Sequence, residues 1–156
     1  YLFKEKEKPG EFYPDKAIAL GVPKGKLWHT LQCGEEVTIE NKTIKPSQVM
    51  GPNISGKKIG VSGDTRPTKE LEEFFNACDY LIFDSTFSDE LKGKAVESGH
   101  STAKEAATLA QNAKALNLIL THFSARYNDD KVLLEEAKSI HSSVIAANDQ
   151  LKVEVV

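Results

Sequence analysis

The segment KIGVSGDTRPTKELEEFFNACDYLIFDS, residues 58–85, decides the fold class, because it contains two short apolar strands separated by a helix. KIGVSG and YLIFDS are rich in residues that favour strands, whereas Thr68 to Asn76 between them is typical of a helix. The alternation continues with two further strands and two further helices, predicted at NLILTH (117–122), SVIAAN (143–148), residues 101–116 and residues 129–141. This order of elements predicts a layered α/β architecture.

The helix over residues 101–116 carries the clearest local signals. Thr102 and Glu105 have the spacing of a capping box, which satisfies free N–H groups at a helix start. One apolar stripe is expected to face the core; its members are Ala106, Leu109, Ala110, Ala113 and Leu116.

The chain before residue 58 has a different character and predicts a separate region, so we divide the chain into residues 1–57 and 58–156. The apolar start YLF is expected to form a strand. Short helices are predicted from Pro14 to Leu20 and from Lys26 to Gln32. The segments EEVTIE and KTIKPSQV lie on either side of Asn41 and predict a β-hairpin. Pro46 is expected to confine the second strand of this hairpin to a sheet edge.

Composition and charge exclude several classes of protein. Among 156 residues, 40% are hydrophobic and 28% charged, which is typical of a globular domain and not of a disordered or coiled-coil chain. No apolar run approaches the roughly 18 residues that cross a bilayer, so we expect no membrane association and a cytoplasmic protein. The net charge of −3 excludes a global basic field, so any RNA binding must be local. Cys33 and Cys78 are expected to be reduced thiols.

Polar residues follow three of the predicted strands. Asp64, Asp84 and His122 come at or just after strand ends, and ligands of open α/β sheets bind at that edge. His100 lies at a helix start, where an anion is favoured. Each residue also has a structural interpretation: Asp64 as a helix cap, Asp84 as a turn acid, the histidines as packing residues. Two carboxylates and a histidine at one edge favour a zinc or manganese site.

Four segments together resemble one known family: GDTRP (63–67), YLIFDSTF (80–87), GHSTAKEAA (99–107) and LTHFSARY (120–127). They are similar to the second half of ribonuclease Z, the tRNA 3′-processing endonuclease family of the metallo-β-lactamase superfamily. The resemblance implies the C-terminal half of an αββα sandwich with a protruding arm. It also implies two zinc ions, with manganese as an alternative, precursor tRNA as substrate and a homodimer.

The resemblance also implies a role for each site residue. Asp64 matches the aspartate that bridges the two metals, and His122 matches a ligand of one of them. His100 matches the histidine that protonates the leaving oxygen, and Asp84 occupies the position of the acid that orients it. These roles fit a two-metal phosphodiester hydrolysis.

RNA contacts are implied in two places. Ser124 and Arg126, in the SARY stretch, are expected to contact phosphate. Lys24 and Lys26 lie in the segment that resembles the family's tRNA-gripping arm, where six lysines concentrate positive charge: Lys4, Lys6, Lys8, Lys16, Lys24 and Lys26. Phosphate contacts supply most non-specific affinity for nucleic acid, although a lysine run is also typical of a solvated surface.

The chain departs from the family pattern at two points. The family's His-Glu-Ala-Thr segment is Phe83 to Thr86 here, so the acid is one methylene shorter. The His-x-His-x-Asp-His metal cluster is absent, and the histidines at 29, 100, 122 and 141 cannot supply it. We therefore expect the N-terminal half of the same enzyme as a partner, and an inactive chain without it. The uncapped start at Tyr1 favours this interpretation.

Two other functions stay open from sequence. A metallo-β-lactamase-fold phosphodiesterase could act on another substrate, such as a cyclic nucleotide, although the lysine-bearing arm argues for tRNA. A non-catalytic RNA-binding remnant is the third hypothesis. The Phe83–Asp84 departure favours the remnant, and the joint presence of Asp64, His100 and His122 argues against it.

Overall fold

The computed structural model describes residues 1–155. They form two compact units, each with its own core. One unit consists of Tyr1–Lys4 together with the chain from Lys57 onward, and the other is Glu5–Gly56. The first four residues thus belong to the same unit as the later α/β segment, because they pair with its sheet.

A five-stranded sheet organises the first unit. Its strands are β1 (Leu2–Lys4), β4 (Lys58–Val61), β5 (Tyr80–Asp84), β6 (Asn117–Thr121) and β7 (Val144–Ala146). The order is β1-β4-β5-β6-β7, with β1 antiparallel to β4 and the other neighbours parallel. The strands predicted from KIGVSG, YLIFDS, NLILTH, SVIAAN and the N-terminal YLF are all confirmed.

The two faces of the sheet are buried to different extents. Leu81 and Phe83 of β5 point to the fully buried face, and Leu118 and Leu120 of β6 lie beside them. Helices α5 (Ala103–Asn112) and α6 (Lys131–Lys138) contribute to the same core. Alternate residues along a strand point to opposite faces, so Ile59 and Ile82 share the other face, where they are only half-buried.

The structure confirms one suggested helix cap and excludes another. Thr102 and Glu105 form the capping box of α5, as expected. Helix α3 (Lys69–Phe74) is capped by Thr68, whose hydroxyl accepts a hydrogen bond from the Leu71 N–H, so Asp64 is not the cap of this helix. The apolar stripe of α5 is shorter than predicted, because the helix ends at Asn112 and Leu116 is exposed.

One helix was not predicted. Helix α4 (Lys92–Ser98) follows a short 3-10 turn at Asp89–Leu91, and Ala95 is its one buried residue. Such a helix gives almost no apolar periodicity to detect. It ends at Gly99, whose left-handed φ of 76° favours glycine and directs the chain into His100.

The second unit contains two helices and a hairpin. Helices α1 (Pro14–Ala19) and α2 (Lys26–Gln32) and strands β2 (Val37–Ile39) and β3 (Lys42–Ile44) surround a small apolar core. The two helices and the hairpin are confirmed, but the predicted position of Pro46 on the second strand is wrong. Pro46 starts a 3-10 turn, and the Gln48 side chain accepts a hydrogen bond from the Lys45 N–H there.

In the part of the chain that the structure describes, no helix is long and apolar enough to cross a membrane.

We expect Gly60→Ala to destabilise the protein by about 1–3 kcal/mol, because overpacking a filled core costs that much. A Cβ on Gly60 would lie 3.0 Å or less from side-chain atoms of Phe75 and Leu81 in the core under β4. Gly93→Ala is the matched control, since a Cβ there meets no atom of residues 1–155 within 4 Å beyond its chain neighbours and the backbone of its own helix. This control should stabilise exposed helix α4 by up to about 1 kcal/mol. Urea unfolding measures both, and equal stabilities for the two variants would contradict the packing described here.

Candidate metal centre

The carboxyl ends of β4, β5 and β6 bring the chemically active side chains together. Asp64 follows β4, Asp84 ends β5, and His122 directly follows β6. His100 reaches the same edge from the loop between α4 and α5. One ligand atom from each of Asp64, His100 and His122 lies within 4.8 Å of the other two.

A fully buried carboxylate underlies this cluster. Asp84 has no exposed surface, and its two oxygens accept four hydrogen bonds. Oδ2 accepts from the Thr65 N–H at 2.9 Å and from His100 Nδ1 at 2.8 Å. Oδ1 accepts from the N–H and the hydroxyl of Thr86, at 3.1 and 2.6 Å. Buried carboxylates require such partners, so Asp84 ties three segments of the chain together.

His122 is held from two sides. Its Nδ1 lies 2.8 Å from the Thr86 hydroxyl, and its Nε2 lies 3.3 Å from Asp64 Oδ2. The His122 ring also stacks on His100, with centroids 4.8 Å apart and planes 17° apart. The backbone of His122 is left-handed, with φ of 63°, a conformation in which histidine is enriched among non-glycine residues.

These donors fit a divalent metal ion. Two ligands about 2.0–2.2 Å from one tetrahedral ion are about 3.3–3.6 Å apart, so the separation between His122 Nε2 and Asp64 Oδ2 suits a shared ion. Imidazole nitrogen and carboxylate oxygen are ligands that zinc and manganese both accept. Asp64 and His122 are exposed, with 60% and 46% of their side chains accessible, so the donors are open to solvent.

An ion pair between Arg66 and Glu105 fixes the loops that carry Asp64 and His100. Arg66 donates to both oxygens of Glu105, at 2.6 and 2.5 Å, and to the backbone carbonyl of His100 at 2.6 Å. The Ser101 hydroxyl donates to the Thr65 carbonyl at 2.5 Å. The two loops are therefore joined by charge-assisted and neutral hydrogen bonds.

Comparisons with known proteins identify the superfamily of the chain. The family model described as the beta-lactamase superfamily domain matches residues 22–123. The chain belongs to the beta-lactamase superfamily. The predicted α/β metallo-β-lactamase fold is confirmed, and its sheet is mixed.

Two relatives of the chain are named ribonuclease Z. The chain is 61% identical over 155 residues to ribonuclease Z of Nitrosopumilus maritimus, covering 99% of this chain and 52% of the relative. It is 45% identical over 157 residues to ribonuclease Z of Archaeoglobus fulgidus, covering 99% of this chain and 51% of the relative. The predicted resemblance to ribonuclease Z is confirmed, and the chain spans about half the length of the curated relatives it matches.

A solved superfamily structure shows the same likeness. The short form of human tRNase Z superposes with a TM-score of 0.53 at 30% identity, covering 67% of this chain and 37% of that one.

The predicted site residues lie in two places. Asp64, Asp84, His100 and His122 come together at the strand ends of the first unit. Ser124 and Arg126 follow His122 in the same unit, with Arg126 Nε donating to the Ser124 hydroxyl at 2.9 Å. Lys24 and Lys26 are exposed in the second unit, on either side of Gly25 at the start of α2.

Sequence reasoning missed three residues that support this candidate site. Thr86 links Asp84 to His122, and Arg66 with Glu105 holds the His100 loop. Thr86 lies in YLIFDSTF and Arg66 in GDTRP, two of the segments that carry the resemblance. Their place in those segments was the one sequence signal for a role at the site. Glu105 was assigned only a capping role, because its contact with Arg66 spans 39 residues of sequence.

The pKa of the Glu105 carboxyl is lowered from its ordinary value. Burial acts to raise this pKa, but hydrogen bonds from Arg66 and the Thr102 N–H, with the positive charges of Arg66 and Lys92, outweigh it. A lowered carboxyl pKa stabilises the folded protein above the ordinary glutamate pKa of about 4.3. This contribution is lost as the pH falls through the lower, folded-state pKa.

We expect Glu105→Gln to destabilise the protein at neutral pH by about 1–3 kcal/mol, because the Arg66 guanidinium then lacks its anionic partner. The difference from the wild-type protein should shrink as the pH falls below about 4.3, where the wild-type carboxyl also becomes neutral. Urea unfolding across this pH range measures the difference. Glu97→Gln, at an exposed position of α4, is the control. A difference between wild type and Glu105→Gln that does not change with pH would contradict the role given to the Glu105 charge.

Proposed function

We propose that the protein is a tRNA 3′-end processing endoribonuclease that removes the 3′ trailer from precursor tRNA by metal-dependent hydrolysis of a phosphodiester. The observation that carries the proposal is the cluster of Asp64, His100 and His122 beside a buried Asp84. The similarity to ribonuclease Z along 99% of the chain supports the choice of substrate. The products would be a tRNA with a 3′-hydroxyl and a trailer with a 5′-phosphate.

Asp64 and His122 would hold the metal, which we propose to be zinc, two ions per complete site, with manganese as the alternative. Bound there, a divalent ion supplies Lewis-acid stabilisation of charge on the phosphate and activates water. Asp64 and His122 are two of the donors that such a site requires, so the remaining ligands would come from an N-terminal half of the same enzyme.

His100 is suited to the role of general acid. Its Nδ1–H donates to Asp84, which leaves Nε2 on the opposite side of the ring free to carry a proton to the leaving oxygen. The adjacent carboxylate would stabilise the positive charge on the ring while it holds that proton. The shorter aspartate side chain, in place of the family's glutamate, still reaches His100 at 2.8 Å.

Phosphate binding beside the site is assigned to Ser124 and Arg126. The Arg126 guanidinium lies over the Phe87 ring, 5.0 Å from its centroid, and its Nε is held by Ser124. The two terminal nitrogens of the fork can then meet phosphate oxygens bidentately. Phe87 also packs edge-on to His100, with centroids 6.4 Å apart, so this guanidinium is near the proposed acid.

Glu5–Gly56 would serve as the tRNA-binding arm. Three of its lysines have intramolecular partners: Lys8 pairs with Glu5, Lys45 pairs with Glu36, and Lys16 lies over the Tyr13 ring. Among residues 1–155, no ion pair or ring contact involves Lys24 or Lys26, and both are exposed. Lys24 and Lys26 are thus available for phosphates of the substrate. The proposal includes a cytoplasmic homodimer, as in the family that the chain resembles.

We expect His100→Ala to lower the rate of precursor-tRNA cleavage by about 10²–10⁴-fold while zinc content and tRNA affinity stay near wild type, because a general acid acts in the transition state. Asp64→Ala should lose zinc as well as activity. Single-turnover cleavage and elemental analysis of the gene's full product measure both variants. If the wild-type protein binds no stoichiometric zinc or manganese, the non-catalytic remnant is the better description.

We expect the double variant Lys24→Ala/Lys26→Ala to bind precursor tRNA more weakly, with the slope of log affinity against log salt reduced by about 1–2, because each lysine is assigned one phosphate. Hydrolysis of a small phosphodiester should be unchanged. Lys114→Ala/Lys138→Ala removes two exposed lysines of the other unit and is the matched control. Equal loss in both double variants would contradict a binding role specific to the arm.

A further inference from the structure

Thr86 connects the buried carboxylate to the exposed metal-binding side of the site. Its hydroxyl oxygen lies 2.6 Å from Asp84 Oδ1 and 2.8 Å from His122 Nδ1. Thr86 is itself buried, with 6% of its surface accessible, so its hydroxyl has little access to water. The contact to His122 spans 36 residues of sequence and joins the end of β5 to the residue after β6.

Proton counting determines the direction of both hydrogen bonds. A threonine hydroxyl has one proton to donate, and an ionised carboxylate can only accept. The separation of 2.6 Å between the Thr86 and Asp84 oxygens is typical of an O–H donating to a carboxylate, which places the Thr86 proton there. The oxygen of Thr86 must then accept, so His122 Nδ1 must carry the hydrogen that it donates to Thr86.

We propose that Thr86 is a positioning residue, whose hydroxyl holds His122 in the Nδ1–H tautomer and so directs the lone pair of Nε2 towards Asp64. Neutral imidazole has one protonated and one unprotonated nitrogen, and the hydrogen bond made by one nitrogen decides which of them can bind a metal. His122 Nε2, with its free lone pair, lies 3.3 Å from Asp64 Oδ2. Because both atoms are then acceptors, a positive charge between them is needed to hold them this close.

Asp84 would therefore orient both histidines of the site. Its Oδ2 holds His100 directly, and its Oδ1 holds His122 through Thr86. The proposed acid and the proposed metal ligand share one buried anion, so their ring orientations are set together. The consequence for metal affinity rests on the proposed function, whereas the tautomer of His122 depends only on the hydrogen bonds of this chain.

Imidazole ¹⁵N NMR of the metal-free protein tests the tautomer directly. The sequence has four histidines, and His122→Gln identifies the resonances of His122 by their loss. Under alkaline conditions, where imidazoles are neutral, we expect His122 to be protonated at Nδ1 in the wild-type protein. Thr86→Val should shift His122 towards the Nε2–H form, and Thr86→Ser, which keeps the hydroxyl, should retain Nδ1–H. An Nε2–H tautomer in wild type, or an unchanged tautomer in Thr86→Val, would overturn the proposal.

Zinc titration against a chromophoric chelator tests the consequence for the metal. We expect Thr86→Val to bind Zn²⁺ about 10–100-fold more weakly than wild type, and Thr86→Ser to restore most of the affinity. Thr108→Val is the matched control, because the exposed Thr108 hydroxyl bonds, among residues 1–155, only to the Lys104 carbonyl of its own helix. If the wild-type protein binds zinc, equal affinity in wild type and Thr86→Val, or equal weakness in Thr86→Val and Thr86→Ser, would overturn the role of the hydroxyl.

The two readouts separate this proposal from the proposed function. A wild-type protein with the Nδ1–H tautomer and no zinc affinity would overturn the metal-dependent reaction and leave the role of Thr86 intact. Folding of Thr86→Val is checked by its amide NMR spectrum, and its backbone N–H can still donate to Asp84.

Discussion

The burial of one carboxylate, Asp84, is the constraint on which the site depends. Removing an ionised group from water costs several kcal/mol unless hydrogen bonds replace the lost hydration. Four hydrogen bonds reach its two oxygens, from the loop after β4, from Thr86 after β5 and from His100 before α5. Because these donors come from different segments, the carboxylate can be satisfied only when the segments have their native arrangement. The fold and the chemistry therefore share one interaction.

The elements with strong periodicity could be predicted from sequence, and those defined by long-range contacts could not. The strands that form the sheet and the capping box of α5 followed from local pattern. Helix α4 was missed because its one buried residue leaves no periodic signal. Asp64 and Thr68 both had the residue type of a cap, and only the structure shows that Thr68 caps α3 and leaves Asp64 free for the site.

The candidate site shows the same division. Strand-end position was enough to bring Asp64, Asp84 and His122 to one edge, because parallel strands end together. Position says nothing about which side chains will hydrogen-bond to them. Thr86 and Arg66 could not be assigned from sequence, since their partners are 36 and 39 residues away. The half-buried face bearing Ile59 and Ile82 is the kind of surface that a second layer of an αββα sandwich covers.

The contrast in exposure across the site has a consequence for how mutations would be tolerated. Asp84 has no accessible surface, whereas 60% of the Asp64 side chain is accessible. A substitution at Asp84 leaves buried donors without an acceptor and so reduces folding and cellular abundance together with activity. A substitution at Asp64 removes a surface group and leaves the core intact. Defects at these two neighbouring carboxylates would therefore differ in kind: one depletes the protein, and the other leaves its cellular level normal.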